Sequence, residues 1–377
     1  MRRAVIMAGS PHIENLWLKD TATLFDETGG NTGNLAFRYG LASHTKNVVF
    51  SRWDAPVAEI RAAGDLLLLP LANQLGSHTD LGQQADRIEA IGLPVVGIGL
   101  GAQAASASVD AVLTPGTERW LRTLTAHAPS DQPNLGVRGA YTFRQIDRLG
   151  LADHVAITGC PSNFINMRDN IAPSLAARYD RRPSLVAVTA GIPYTPVMQG
   201  IEQQLAQMVS DTGGAYIVQH GLEMLHLARN EFQTLGSQRL ELCRAYIQPE
   251  LDLDEFIRWC RSHAHAFFHI PSWLEFLRRF DFVVGSRFHG AMLALQVGVP
   301  AGVIAHDSRT QEMCQTMGVP VRLHTEIDAP VTADSLPSLF PFDAQEFLAK
   351  RRALHAAYAQ LFADAQLEMV APLLSMF

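Results

Sequence analysis

Two residues that could bind an anion and move a proton stand close together where the predicted backbone changes from strand to helix. In the stretch FVVGSRFHGAMLALQVGVP, residues 282–300, an apolar run stops at Ser286 and is followed by Arg287 and His289. A guanidinium group is a permanent cation that binds carboxylate or phosphate through two parallel hydrogen bonds. An imidazole exchanges a proton near neutral pH and suits general acid–base catalysis. The pair predicts a site for a small anion with a proton donor or acceptor beside it.

The predicted fold puts this pair at an edge where ligands bind. Residues 282–286 are predicted to form a buried parallel strand, and open α/β sheets bind ligands at the carboxyl ends of such strands. The following helix directs its first N–H groups and the positive end of its dipole at the same point. The next predicted strand, residues 301–305, brings further polar residues to this edge, namely His306, Asp307, Arg309 and Glu312. The structural alternative is that Arg287 pairs with a carboxylate and His289 only caps the helix.

Short apolar runs alternate with helical patterns along most of the chain. The first series of predicted strands covers residues 3–8, 48–50, 65–70, 94–100 and 155–160. The second series covers residues 185–190, 215–220, 282–286 and 301–305. Runs that are apolar on both faces are typical of parallel strands covered by helices on two sides. The two series predict an α/β protein with two Rossmann-like domains that face each other across a cleft, with the loops at Asn31 and Arg287 opening into it.

The weakest join between the two series lies at residues 163–184, which are polar, contain proline and lack periodicity. We therefore predict an N-terminal domain over residues 1–170 and a C-terminal domain over residues 171–335. Residues 336–377 predict a helical tail that packs back across the domain junction.

Composition excludes several classes of protein. Of the 377 residues, 47% are hydrophobic and 18% charged, which is typical of a globular chain, and the net charge of −7 gives no basic field for nucleic acid. The cysteines share no CxxC spacing, so we predict neither a disulfide framework nor a cysteine-rich zinc site. No apolar stretch approaches the roughly 20 residues that span a bilayer. We expect a cytoplasmic protein, either free or in peripheral contact with the inner membrane.

A loop rich in glycine and asparagine, GGNTGNLAF at residues 29–37, precedes a predicted helix. Asn31 and Asn34 could hydrogen-bond the hydroxyls of a sugar, and we assign them to acceptor binding. The alternative is a turn in which asparagine caps the helix.

Two further patterns are less specific. The cluster HAHAFFH contains His263, His265 and His269 but has no acidic third ligand at an obvious spacing, so we predict no metal site. The stretch GIGLGAQAAS, residues 97–106, follows a strand, but the spacing of its glycines departs from the dinucleotide-binding pattern. It is interpreted as a tight strand-to-helix turn, or as a turn whose backbone N–H groups face the cleft.

With these residues identified, the sequence resembles the polysaccharide pyruvyl transferase family. The matching stretches are GLPVVGIGLGAQ, VRGAYTFRQIDRLGL, VAITGCPSNFIN, and SRFHGAMLALQVGVP with DSRTQE, while GGNTGNLAF resembles the N-terminal loop of that family. The resemblance therefore runs over roughly residues 1–320, and its most specific part is the Arg-x-His-Gly motif that begins at Arg287.

The resemblance implies a GT-B-like fold and a definite reaction. Members of the family move the carboxyvinyl unit of phosphoenolpyruvate onto two hydroxyls of a sugar, forming a pyruvate ketal and releasing phosphate. Phosphoenolpyruvate is then a substrate, and no cofactor is expected. The C-terminal domain would bind this donor, and the N-terminal domain would bind a saccharide acceptor. The acceptor would be a sugar of a bacterial surface polysaccharide or its precursor, either free or linked to a lipid. By resemblance, Arg287, His289 and Gly290 bind the donor, and His289, with a pKa near neutrality, is the general acid.

One stretch departs from the family pattern. The strand corresponding to LVAVTAG leads in the family into an arginine that helps bind the donor, whereas GIPYTP follows here. Either the second cation comes from elsewhere, with Arg138 and Arg309 as the candidates, or the contact with the donor differs from that of the family. Two alternatives stay open: a glycosyltransferase that uses a nucleotide sugar, in which Glu312 would approach a ribose, and a carbohydrate-binding relative without activity.

Overall fold

The computed structural model describes residues 1–104 and 108–377, which contain two six-stranded parallel sheets. The first sheet consists of β1 (Ala4–Met7), β2 (Val48–Ser51), β3 (Leu66–Pro70), β4 (Val95–Leu100), β5 (Leu135–Val137) and β6 (Val155–Ile157), in the order β2-β1-β3-β4-β5-β6. The second consists of β7 (Val186–Thr189), β8 (Ala215–Val218), β9 (Ala264–Ala266), β10 (Phe282–Gly285), β11 (Ala301–Ala305) and β12 (Val321–Leu323), in the order β12-β11-β10-β7-β8-β9.

Helices alternate with these strands. Those of the first half are α1 (Thr21–Glu27), α2 (Asn34–His44), α3 (Val57–Ala63), α4 (Gly82–Ile91), α5 (Pro115–Ala126) and α6 (Ala140–Asp147). Those of the second half are α7 (Ile171–Tyr179), α8 (Gln199–Thr212), α9 (Leu222–Ala228), α10 (Phe232–Ile247), α11 (Leu253–His263), α12 (Ile270–Leu277), α13 (Phe288–Gln296) and α14 (Ser308–Met317). The tail contains α15 (Leu336–Leu339), α16 (Ala344–Asp364) and α17 (Ala371–Leu374). Within the described ranges, no helix combines the length and apolar composition that crossing a bilayer requires.

The predicted fold class is confirmed: two Rossmann-like sheets face each other in a GT-B-like arrangement. An observed strand lies at each of the nine predicted segments, because their side chains are largely apolar; seven of these strands are mostly buried, whereas the edge strands β2 and β6 are half-buried. The predictions missed β5, β9 and β12, which have three residues each. Strand β6 is equally short but entirely apolar, whereas β5 contains a glycine and β9 and β12 each contain a polar residue, so their pattern is too weak to be recognised from sequence.

Strand order marks one point in each sheet where ligands are expected to bind. In the first sheet, β2 lies on one side of β1, and the strands from β3 onwards lie on the other side. In the second sheet, β8 and β9 lie on one side of β7, and the strands from β10 onwards lie on the other side. Parallel sheets leave a crevice outside the carboxyl ends of the strands at such a switch point. Arg287 follows β10, so the residue singled out from the sequence lies at the switch point of the second sheet.

The carboxyl ends of the two sheets face a shared cleft, and a loop from the first half crosses it. The Thr32 N–H donates to the carbonyl of Gln219 over 2.9 Å, and the His220 Nδ1 lies 2.6 Å from the Gly30 carbonyl oxygen. Asn31 and Arg287 line the same cavity, which confirms that both loops open into the cleft.

The C-terminal tail is attached to both halves of the chain. Helix α16 packs on β6, α7 and α14. Its buried Arg351 donates hydrogen bonds to the carbonyls of Asn163 at 3.2 Å, Arg168 at 2.8 Å and Asn166. The segment after α16 pairs with the end of α2 through a bridge between Thr45 and Met369. The tail therefore holds the connection between the two sheets against the first half.

We predict that Arg351→Met destabilises the protein by on the order of 3 kcal/mol, because three buried carbonyls lose their donor. The measurement is the shift of the denaturant-unfolding transition. The control is the exposed neighbour Arg352, whose guanidinium lies over the Phe377 ring and whose change to Met should cost less than about 1 kcal/mol. Equal effects of the two substitutions would contradict a pinning role for Arg351.

Candidate functional site

A cavity of about 610 Å³ lies where the carboxyl ends of the two sheets meet. Its titratable lining residues are almost all bases, namely Arg138, Arg287, Arg309, His78, His220, His289 and His306. Among the described residues, Asp307 is the one carboxylate in the lining. The cavity therefore carries a concentrated positive potential that favours an anionic ligand.

Two of the three arginines have no carboxylate partner within the described parts of the chain. Arg138 is 2% exposed and its Nε has no hydrogen-bond partner, while Arg287 is 8% exposed and both its Nε and Nη2 lack one. Arg309 lies 3.4 Å from Asp307. Burying a cation whose N–H groups make no hydrogen bond costs free energy unless a bound anion pairs with it. The alternative in which Arg287 pairs with a carboxylate is thus wrong.

The arginines keep their charge despite this crowding. Burial, with a contribution from Arg309, lowers the pKa of Arg287 to about 10. Burial likewise lowers the pKa of Arg138 to about 10. Both pKa values stay above neutral pH, so the cavity remains cationic at pH 7.

Close packing positions the start of α13 at the cavity. A Cβ atom on Gly290 would lie 2.4 Å from Thr189 Cγ2 and 2.9 Å from Gln219 Nε2, so only glycine allows α13 to approach β7 this closely. Arg287 is the N-cap residue, and no side chain caps the first turn. The first N–H groups of the helix and the Arg287 side chain are consequently available at one place.

His289 does not cap the helix but turns towards the first half. Its Nε2 lies 3.6 Å from Cys160 Sγ, and its ring centroid lies 5.6 Å from that of Phe37. Burial, followed by the charges of Arg138, Arg309 and Arg287, lowers its pKa well below 6.5. The prediction of a pKa near neutrality is therefore wrong for the protein without a ligand. Its imidazole is neutral at pH 7, and a bound polyanion would offset the arginine charges and raise the pKa.

The two asparagines of the N-terminal loop form its turn but do not cap α2, whose N-cap residue is Gly33. Asn31 Oδ1 accepts a hydrogen bond from the Gly33 N–H at 2.9 Å, and Asn34 Nδ2 donates to the Thr28 carbonyl at 2.9 Å. These bonds build the turn. Both residues line the cavity, and Asn31 Nδ2 and Asn34 Oδ1 make no hydrogen bond to a described residue, so each keeps one free polar atom for a ligand.

Glu312 lies outside the site, contrary to the prediction that it joins the sheet edge. Its carboxylate accepts hydrogen bonds from the Thr142 N–H at 2.7 Å and the Thr142 hydroxyl at 2.8 Å. It thereby fixes the start of α6 against α14 and links the two halves. The nucleotide-sugar alternative loses the ribose contact that Glu312 was expected to make.

The other sequence patterns contribute little to the site. The backbone N–H groups of Gly101, Ala102 and Gln103 bond to protein acceptors and do not face the cleft, and residues 105–106 of that stretch lie outside the described residues. His263 Nδ1 lies 2.8 Å from the Gly214 carbonyl oxygen. In residues 1–104 and 108–377, no group of three His, Cys, Asp or Glu side chains could hold a metal ion.

A second cavity of about 780 Å³ adjoins the first at the carboxyl ends of β1 and β3. The two cavities share Gly29, Asn34, Ala72 and Gln74. The second is lined by the half-buried Trp53 and by Glu14 and Asp26, which have no ion-pair partner among the described residues. An aromatic face beside carboxylates suits the C–H surface and hydroxyls of a sugar.

Several lining residues were missed although the sequence contained a signal for them. Asn73, Gln74 and His78 follow β3, and Gln219 follows β8, so all stand at carboxyl ends of strands. The rule that identified Arg287 applies equally to them. Trp53 follows β2 in the same way and lines the second cavity.

A model of the polysaccharide pyruvyl transferase family matches residues 64–308, well over half of the chain, which confirms the resemblance. No curated protein sequence matches significantly. Similar solved structures include S. aureus MnaA with UDP, at 11% identity over 96% of this chain and 98% of that one, with a TM-score of 0.45. A UDP-N-acetylglucosamine 2-epimerase from Rickettsia bellii is 10% identical over 96% and 95%, with a TM-score of 0.48.

We predict that Arg287→Lys weakens binding of phosphoenolpyruvate, the anion that the resemblance implies, by about 10-fold or more, since lysine cannot make a planar two-pronged contact. Calorimetric titration gives the dissociation constant, and the melting temperature shows whether the fold survives. Arg322→Lys, whose Nε bonds the Leu339 carbonyl away from the cavity, is the control and should bind normally. Unchanged affinity in Arg287→Lys would make Arg287 structural.

Proposed function

Because the chain belongs to the polysaccharide pyruvyl transferase family, we propose that it transfers the carboxyvinyl unit of phosphoenolpyruvate to a sugar of a bacterial surface polysaccharide or its precursor. The product is a pyruvate ketal on two sugar hydroxyls, and phosphate is released. The observation that carries this proposal is the convergence of Arg138, Arg287 and Arg309 on one cavity, with unused N–H groups on all three.

The donor matches the cavity in charge and in the number of groups to be held. Phosphoenolpyruvate carries a carboxylate and a phosphate on a three-carbon frame. Arg287 grips one of them through its two free nitrogens, and the uncapped start of α13 receives the other. Arg138 and Arg309 supply the cations that GIPYTP does not provide after β7.

Ketal formation requires a proton at the methylene carbon of the donor and then two attacks at the central carbon. His289 is neutral in the empty site, and the donor's negative charges raise its pKa so that it is protonated in the complex. It gives its proton to the methylene carbon, which becomes a methyl group, and the first sugar hydroxyl attacks the central carbon. Phosphate then leaves, and the second hydroxyl closes the ketal. The two hydroxyl protons restore His289 and protonate the phosphate.

The acceptor sugar occupies the second cavity and the loop between the cavities. Asn31 and Asn34 offer free amide atoms at the junction, and Trp53 offers a ring face for the sugar. The reaction takes place in the cytoplasm on a free or lipid-linked precursor, and a lipid carrier would bring the enzyme to the inner membrane.

Incubation with phosphoenolpyruvate and a panel of glycans tests the reaction. We expect phosphate release that depends on the glycan, together with the mass gain of a ketal. Nucleotide sugars form the second arm. Turnover of a nucleotide sugar without use of phosphoenolpyruvate would replace the proposal with glycosyl transfer, and glycan binding without turnover of either donor would indicate a carbohydrate-binding protein.

We predict that His289→Gln slows single turnover by roughly 10²- to 10⁴-fold because glutamine cannot deliver a proton. Wild-type rate should fall as pH rises through the pKa of His289 in the complex. Donor affinity should also rise towards low pH, since the pKa is lower in the empty site than in the complex and binding takes up a proton.

The variant should lack both of these pH effects. Comparing the two proteins cancels the titration of the donor's own phosphate. His127→Gln, at the end of α5 and away from the cavity, is the control and should behave as wild type. Near-normal turnover in His289→Gln would remove His289 from the mechanism and leave His220 and His306, which line the same cavity, as candidates.

A further inference from the structure

A buried cysteine of the first half touches the imidazole of the second half. Cys160 follows β6 and is fully buried, and its Sγ lies 3.6 Å from His289 Nε2. The Ser162 hydroxyl donates to the same sulfur over 3.1 Å. The proposed reaction has so far given Cys160 no role.

The hydrogen bonds around the sulfur favour one arrangement of protons. The sulfur already accepts from Ser162, and its own hydrogen is free to point at Nε2 of His289. Nε2 then acts as the acceptor, so the single hydrogen of a neutral imidazole sits on Nδ1. His289 lines the cavity, and its Nδ1 hydrogen-bonds no described residue, so Nδ1 is the nitrogen left for a ligand.

We propose that Cys160 is a positioning residue whose thiol donates to Nε2 of His289 and thereby directs the protonated Nδ1 at the cavity. Burial raises the pKa of the thiol, so it keeps its hydrogen at neutral pH. The contact joins a loop of the first half to α13 of the second, so it forms only where the two halves meet. When donor binding adds a proton to the ring, it goes to Nε2, the thiol hydrogen turns away and the sulfur accepts from Nε2, so that Nδ1–H stays directed at the ligand.

The tautomer is measurable without any substrate. In protein labelled with ¹⁵N-histidine at pH 7.5, long-range ¹H–¹⁵N spectra separate protonated from bare ring nitrogens, and His289→Gln assigns the signals. We expect Nδ1 protonated and Nε2 bare in the wild type. Cys160→Ala should give a mixture with protonated Nε2, and Cys160→Ser, which keeps a donor, should restore much of the wild-type pattern. Cys260→Ala, a buried cysteine elsewhere in the second half, is the control and should change nothing.

The effect of Cys160 on the reaction rate rests on the proposed function, so it is measured in a separate experiment. Single turnover in Cys160→Ala should fall about 10-fold with donor affinity unchanged, less than the loss from removing the acid itself. A wild-type spectrum with protonated Nε2, or a tautomer unaffected by Cys160→Ala, would overturn the proposal. The spectrum of the wild-type protein tests the proposed tautomer even if Cys160→Ala does not fold. Absence of phosphoenolpyruvate turnover would refute the proposed function and leave the tautomer result standing.

Discussion

The site depends on buried arginine charges that have no carboxylate partner in the part of the chain that the structure describes and that lie where the carboxyl ends of the two sheets meet. Removing a guanidinium from water costs several kcal/mol unless the cation is paired. Arg138 and Arg287 are nearly fully buried and have no ion-pair partner among the described residues. An anion bound in the cavity would offset this cost. Burial, followed by these charges, lowers the pKa of His289 and keeps its imidazole neutral.

Under the proposed function, this arrangement links donor binding to proton supply. Burial and then the arginine charges lower the pKa of His289, and an anionic donor would offset the second of these causes. In that mechanism an empty site holds no charged acid, and the acid is generated where and when the donor binds. The proposed contact with Cys160 would add the direction of the proton, because it occupies Nε2 and leaves Nδ1 for the ligand.

Much of this could be predicted from sequence, and the errors at Glu312 and His289 share one cause. The strands of both sheets, and the positions of Arg287 and Arg309 at the carboxyl ends, follow from local apolar runs and the rule for parallel sheets. Glu312 was misassigned because periodicity places it on α14 but cannot say that this face docks on Thr142 of the other half. The contact of His289 with Cys160 and its lowered pKa likewise depend on residues far away in the chain, brought close only by the docking of the halves.

The attachment of the tail limits how this protein can be recombined with relatives. Helix α16 and the segment around Met369 belong to the second half in chain order but bond to the first half through Arg351 and Thr45. A chimaera that exchanges residues 1–170 as one continuous piece would separate these partners. Moving residues 344–377 with the N-terminal piece keeps them together and needs two crossover points, but it places the contacts of α16 with α7 and α14 at the new junction.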